Sequence, residues 1–307
     1  MSARVSVLTP AYQRAGTLPR LFASLEEQSF ADFEWVVVDD GSDDGTRELV
    51  AGWSRSADFP IRYHWQQNAG KHAAVNRGVE LAAGEFCALI DSDDWYMPGA
   101  LAGMVATWES IPEASRDGFA NVEGQRVDQD GNPVGDRFPS DVFDSNTFEL
   151  EALHGIHGDT IGMYRTDVLR QFPFPEDLGW HITPSLVWNR IAARFQTRFT
   201  NQVWGYTDYQ DSGLSARDTE LRLRFPRAQL AYWSEIAAMP RPMTLETRYR
   251  ANANRCRYLL LCGEGPGSLL RGSPTPAWAL AAAPAGALLH LRDRRALRRL
   301  GPGEEGA

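Results

Sequence analysis

Four short apolar runs, at residues 5–9, 34–39, 61–65 and 85–90, alternate over the first ninety residues with helical patterns at 18–28, 46–53 and 71–83. Strands and helices at such short intervals leave few solutions. Consecutive strands lie parallel, each returned by a crossover helix, in an α/β sheet covered by helices. Open sheets of this kind bind ligands at the carboxyl ends of their strands. The loops leaving those ends, residues 10–14, 39–42 and 91–94, are therefore expected to converge on one crevice.

These loops carry the polar chemistry. The run 86–90 discharges into Asp91, Ser92, Asp93 and Asp94, three carboxylates within four residues. Carboxylates that close repel one another. A hard divalent cation such as Mg²⁺ or Mn²⁺ relieves the repulsion, and the competing reading is a solvated acidic turn before a helix that starts near Pro98. Val36, Val37 and Val38 lead into Asp39, Asp40, Gly41 and Ser42. A carboxylate there can accept from the imide N–H of a uracil or from a ribose hydroxyl, or can simply cap the next helix, for which Ser42, Asp43 and Asp44 are also available. Residues 68–78 open a helix with Lys71 in its first turn. Lys71 is the single lysine among 31 basic residues. At a helix N-terminus it can meet phosphate, and the alternative is an exposed surface charge.

A net charge of -9 argues against a nucleic-acid partner, so an anionic ligand has to be held by local means. Cys87, Cys256 and Cys262 form neither a disulfide framework nor a metal-ligand spacing, which fits a reducing cytoplasmic setting. The chain starts straight into a strand without a basic-then-apolar leader, so no signal peptide is expected.

Four segments, 5–14, 38–46, 68–78 with Ala83, Gly84 and Glu85, and 89–94, occur in an order that resembles the family 2 glycosyltransferases with a GT-A fold. The resemblance is firm to about residue 104, weaker to about 214, and at 185–192 is similar to a bacterial subgroup. It implies metal-assisted transfer of a sugar from a nucleotide donor, most often a UDP-sugar, to an acceptor hydroxyl with inversion. The acceptor is a glycan or a lipid-linked molecule, as in bacterial polysaccharide or glycoconjugate assembly. On this resemblance Pro10, Ala11 and Tyr12 cradle the base, with Tyr12 stacking on it, and Asp40 reads the uracil imide. Arg14, Lys71 and Ser92 join the donor-binding positions, although Lys71 falls only near the basic position of relatives. Asp93 meets the ribose or the metal, and Asp94 or Asp91 ligates Mn²⁺ or Mg²⁺ under the diphosphate, whose developing charge a cation stabilises.

One position departs from the family pattern. Relatives place an Asp or Glu just before the helix at 185–192 to take the acceptor proton. Here that slot holds Pro184, beside Thr183, and neither can serve as a base. Asp177 and His181 are the first candidates, followed by Glu176 and the more distant Asp159. The departure also suits a module that binds its donor without transferring it. A nucleotidyltransferase is weaker, because residues 9–16 offer one arginine and one glycine to grip a triphosphate.

The expected organisation is a nucleotide-sugar-binding half at 1–104, an acceptor-binding half at 105–215, helices at 216–270 and an apolar, then basic, tail at 271–307. Within it, 101–108, 167–171, 217–238 and 245–261 read as helices, Ser145 caps a helix through residue 153, and 118–122 reads as a strand. Trp180, Trp188, Trp204, Tyr206 and Tyr209 could include a platform for a glycan. The apolar stretch 276–291 contains Pro276 and Pro284 and is followed by Arg292, Arg294, Arg295, Arg298 and Arg299. That order suits a helix resting on the anionic cytoplasmic face of a membrane, or a packed helix with a solvated basic end.

Overall fold

The computed structural model describes residues 3–208, 214–271 and 273–300. Its N-terminal part contains β1 (Val5–Ala11), α1 (Leu18–Glu26), β2 (Phe33–Asp39), α2 (Thr46–Trp53), β3 (Ile61–Trp65), α3 (Lys71–Leu81) and β4 (Phe86–Leu89). The four strands run parallel in the order β3-β2-β1-β4. β1 and β2 are buried along their whole length, as continuous apolar strands with neighbours on both sides should be, whereas β3 at the sheet edge is only partly covered. α1 buries Leu18, Leu21, Phe22 and Leu25, a helical stripe that meets Trp35, Phe86 and Met104 on one face of the sheet. On the other face Leu8 and Val36 pack with Val75, Tyr164 and Leu186. Burying each such side chain stabilises the fold by about 1.5–3 kcal/mol. α3 approaches β1 closely at Gly78, where a Cβ would come within 2.0 Å of a Leu8 methyl.

The sheet then continues through β5 (Trp95–Tyr96), α4 (Ala100–Glu109), β6 (Phe119–Val127), β7 (Val142–Ser145), α5 (Thr147–His154), β8 (Thr160–Arg165), α6 (Thr166–Gln171), α7 (Ser185–Ala192) and β9 (Gln196–Tyr206). β8 pairs antiparallel with both β4 and β6, so one sheet runs unbroken across residue 104. β9 lies parallel to β6 and antiparallel to β7 and β5. The sheet is thus parallel through its first four strands and mixed beyond them. β7, β8 and β9 were not expected from the pattern. β9 is rich in Gln, Thr, Arg and Asn, and its burial comes from pairing on both sides rather than from an apolar alternation.

Four helices follow, α8 (Leu214–Arg224), α9 (Pro226–Ala238), α10 (Leu245–Leu261) and α11 (Pro276–Leu300). The helix expected over 217–238 is two, because Pro226 lacks the N–H needed to continue one and opens the next at its first turn. Two caps also differ from expectation. Asn146, not Ser145, caps α5 by accepting from the Glu149 N–H at 2.9 Å. Gly45 in a left-handed conformation precedes α2, while Asp44 accepts from the Thr46 N–H at 3.1 Å. The tail is one helix that carries Pro284 inside it and includes the arginines. Its small residues Ala279, Ala282 and Gly286 are buried, and a Cβ at Gly286 would stand 2.5 Å from the Ala253 carbonyl of α10. Among the described residues no helix is long and apolar enough to cross a membrane.

Candidate active site

The acidic loop leaves β4 in a tight turn, with the Asp94 N–H donating to the Asp91 carbonyl at 3.1 Å. Its three carboxylates have different partners. Asp91 Oδ1 lies 2.6 Å from Lys71 Nζ, with both side chains partly open to solvent. Desolvation works against the charge on Lys71, but Asp91, backed by Asp93 and Asp94, holds its ammonium above the usual range. Desolvation opposes charge on Asp91 too, and Lys71 overcomes it to hold that carboxyl below its usual range. Asp94 is buried. It pairs with Arg126 of β6 and accepts from Thr207 Oγ1 at 2.7 Å. Burial pushes its carboxyl up to about 6 against the pull of Arg126. Asp93 is raised by desolvation and by the charge of Asp91. The Asp93 carbonyl accepts from Arg20, which also reaches Asp208 at 2.8 Å and lies 3.7 Å over the Trp95 ring.

The neighbouring loops are sewn to this one and to each other. Pro10 and Ala11 end β1, and Tyr12 follows with its ring partly exposed. Gln13 adopts a left-handed φ of 55°, which turns its N–H onto Ser42 Oγ at 2.8 Å. Arg14 acts electrostatically on Asp91 and Asp93. Ser92 is buried beneath the turn. Asp39 accepts from the Ser42 N–H and from the Tyr63 hydroxyl. Asp40 is buried and accepts from Gln66 Nε2 at 2.8 Å, Ala69 N at 2.9 Å and Gly70 N at 2.8 Å. A carboxylate has about four lone-pair positions, so these bonds leave Asp40 little free capacity for a base. They do fix the entry to α3, and with it the position of Lys71.

A cavity of about 690 Å³ extends from Pro10, Lys71 and Asp91 past β6 and β8 towards α5, α8 and α9. Asp159 and His181 line it, whereas Glu176 and Asp177 are exposed outside its wall. Glu176 accepts from Asn76 Nδ2 at 2.7 Å and so ties its loop to α3. Pro184 stands on the cavity wall as the N-cap of α7. Trp180 and Trp188 also line the cavity, Trp204 is buried in the core, and Tyr206 stacks on Trp95. Tyr209 lies outside the described residues. Sequence reasoning missed Arg126, Thr207, Arg20 and Asp218, since none belongs to a short motif. An Arg in a strand whose other residues, Glu123 apart, are uncharged was the one available signal for Arg126.

The donor set suits a divalent cation only in part. Asp91 and Asp93 are hard oxygen ligands on the open side of the loop, and desolvation together with the charge of Asp91 raises the Asp93 carboxyl. Asp94, expected as a ligand, is engaged by Arg126 and Thr207. Among the described residues no three His, Cys, Asp or Glu side chains are grouped to hold a metal unaided. The site therefore fits a cation shared with an anionic ligand that supplies further oxygens.

Comparison with known proteins bears on the family and the fold. The family model described as glycosyl transferase family 2 matches residues 6–172, more than half of the 307-residue chain. The chain is 31% identical over 132 residues to a GalNAc(5)-diNAcBac-PP-undecaprenol beta-1,3-glucosyltransferase of Campylobacter jejuni, covering 42% of this chain and 40% of that one. It is 31% identical over 134 residues to a putative teichuronic acid biosynthesis glycosyltransferase, TuaG, of Bacillus subtilis, covering 44% and 51%. The match thus spans about half or less of these relatives. Among solved structures, S. aureus TarS in complex with UDP-GlcNAc superposes with a TM-score of 0.64 at 18% identity, over 95% of this chain and 92% of that one. A mannosyltransferase from Pyrobaculum calidifontis in complex with GDP-Man and Mn²⁺ gives 0.57 at 19% identity, over 96% and 88%. The fold is the GT-A fold of these transferases.

Proposed function

The chain belongs to glycosyl transferase family 2, and on that premise we propose that it moves a sugar from a nucleotide-diphosphate donor, a UDP-sugar, to an acceptor hydroxyl with inversion at the anomeric carbon. The observation that carries the reading is the convergence of Tyr12, the Asp40-anchored loop, Lys71 and the acidic turn on one end of the parallel sheet, with Lys71 and Asp91 on the wall of one cavity. Tyr12 offers a ring face for a base. Asp40 holds the 68–70 loop and, with its remaining lone pair, faces the donor edge of uracil. Lys71 and Arg14 supply the cations for the diphosphate, with Lys71 exchanging Asp91 for phosphate oxygens. A divalent cation, Mn²⁺ or Mg²⁺, held by Asp91 and Asp93 would neutralise charge developing on the leaving diphosphate. Asp94 and Arg126 hold the turn rigid so that its open side faces the ligand.

The acceptor approaches from the far arm of the cavity, between α5 and α9, where Trp188 and Trp233 add apolar surface to the wall that suits a glycan or a lipid-linked sugar. The curated relatives include an enzyme named for an undecaprenol-linked substrate, which supports the lipid-linked choice. α11 supports it too. Leu280, Leu288, Leu291 and Leu300 are 58%, 68%, 53% and 44% exposed while the small residues of the helix face inwards. Exposed leucines beside five arginines suit the anionic cytoplasmic leaflet.

The experiment is a thermal-shift titration with UDP, GDP and dTDP, with and without Mn²⁺, followed by nucleotide release from a panel of nucleotide sugars. Metal-dependent stabilisation by UDP and release of UDP are expected. A chain that responds to no nucleotide diphosphate under either condition does not have this function.

A further inference from the structure

We infer that His181 is the base that takes the proton from the acceptor hydroxyl, oriented by Asp218 of α8, so that the C-terminal helices complete the reaction centre. The inference rests on the transferase reading above and adds the group which that reading lacks. Pro184 stands where the resemblance to the family leads one to expect a carboxylate, and His181 stands three residues earlier in the same cavity wall.

The backbone beside the ring is anchored, and one ring nitrogen is turned to a carboxylate. Trp180, its neighbour, donates Nε1–H to Asn68 Oδ1 at 3.1 Å, and the Trp180 carbonyl packs so near Gly70 that a Cβ there would be 2.7 Å from it. These contacts fasten His181 to the entry of α3, which also carries Lys71. On its other side His181 Nε2 is buried and 3.6 Å from Asp218 Oδ1, with no closer hydrogen-bond partner. That spacing is long for a hydrogen bond, and dyads of this kind tighten when substrate fills the site. Asp218 is itself held by Arg222 at 2.7 Å through its second oxygen, which leaves Oδ1 for the imidazole.

The charges around the ring suit a base. Asp218 and Arg222 face it from α8, and His72 faces it from α3. His72 is buried, and desolvation holds its imidazole below the usual range, so at neutral pH it adds no positive charge to oppose an imidazolium at His181. The carboxylate of Asp218 stabilises that imidazolium.

The acceptor oxygen forms a bond to the anomeric carbon as the bond from that carbon to the diphosphate oxygen breaks. The nucleoside diphosphate leaves with the electron pair. The hydroxyl proton passes to the nitrogen of His181 not turned to Asp218, and from there to solvent.

The test measures UDP release from UDP-GlcNAc and UDP-glucose, and GDP release from GDP-mannose, for the full chain and for His181→Gln, His181→Asn, Asp218→Asn and Asp218→Glu. UDP-induced thermal shifts monitor folding and donor binding. The expected result is a loss of about 100-fold or more in kcat for the His181 variants, with the UDP-induced shift retained. Asp218→Asn should lose less, in kcat rather than in KM, and Asp218→Glu, which keeps a carboxylate, should recover most of that loss. A merely structural role would not separate kcat from KM in this way. Either His181 variant within about threefold of wild type, or an Asp218→Asn variant with wild-type kcat, overturns the assignment. If the wild-type chain released nucleotide from none of the donors, the transferase reading would fall and the base with it. An active wild type beside an active His181→Gln would remove only the base.

Discussion

Lys71 Nζ lies 2.6 Å from Asp91 Oδ1, which joins the first turn of α3 to the loop leaving β4 and puts the chain's single lysine at the mouth of the cavity. The pair is 41% and 43% exposed, so it contributes at most about 1 kcal/mol to stability. Its value lies in placing a cation for an incoming diphosphate. Lys71→Met should therefore leave the urea midpoint nearly unchanged while weakening UDP binding about tenfold, a charge-assisted bond having been lost. Calorimetric titration with UDP checks this, and wild-type affinity in the variant would free Lys71 from the donor site.

Arg126 and Asp94 behave differently because Asp94 is buried and Arg126 is mostly covered, their side chains being 3% and 13% exposed. Removing one partner strands the other charge, so Arg126→Met should cost about 3–5 kcal/mol in urea denaturation. Replacing both, as Arg126→Met with Asp94→Leu, should recover part of that loss. A single variant as stable as wild type would show that the pair does not hold the acidic turn.

Asp40 accepts three hydrogen bonds that anchor the approach to α3. Asp40→Ala leaves the Ala69 and Gly70 amides without their acceptor, at a cost of about 2–4 kcal/mol. Asp40→Asn keeps one acceptor oxygen and should lose less. If Asp40 also faces the base, Asp40→Asn will weaken UDP binding by more than its effect on stability accounts for, since the amide presents a donor to the imide N–H.

Burial pushes the Cys87 thiol up to about 12, from an ordinary value of 9.0. The folded state thus holds the proton more tightly than the unfolded one. The resulting stability is fully present below about pH 9 and is lost as the pH rises through about 12, by up to roughly 4 kcal/mol. Urea denaturation at pH 8 and pH 10.5 should show wild type losing its advantage over Cys87→Ala as the pH rises. A pH-independent difference between the two would contradict the shift.

The exposed leucines of α11 predict binding to vesicles containing anionic lipid. Leu288→Glu combined with Leu291→Glu should abolish co-sedimentation without changing nucleotide release. High salt should weaken the wild-type interaction in part, because the arginine contribution is screened while the apolar contribution is not. Equal sedimentation of wild type and variant would leave α11 without a membrane role.

Much of the fold is legible in the amino-acid sequence, and the reason is local. β1 to β4 and the three helices between them follow from apolar runs and helical stripes that are complete within each segment. Helices α2 and α10 fall on their expected bounds for the same reason. β7, β8 and β9 could not be read that way. Arg198 in β9 is buried because Asp144 of β7 accepts both arms of its guanidinium, at 2.8 Å each. No window of local sequence contains that pair.

The same distinction divides the site. The sequence by itself determined that Pro10 to Arg14, Asp39 to Ser42, Lys71 and Asp91 to Asp94 would meet, because a parallel sheet aligns its loops at one edge. Only the tertiary structure decided what each carboxylate does there. Asp94 is held by Arg126 and Thr207, and Asp40 by three donors of its own chain. Asp177 is exposed outside the cavity, while His181 meets a carboxylate of α8, thirty-seven positions further along the chain. Charge pairing and desolvation act through space, and the partners that set them here come from strands and helices that no motif links.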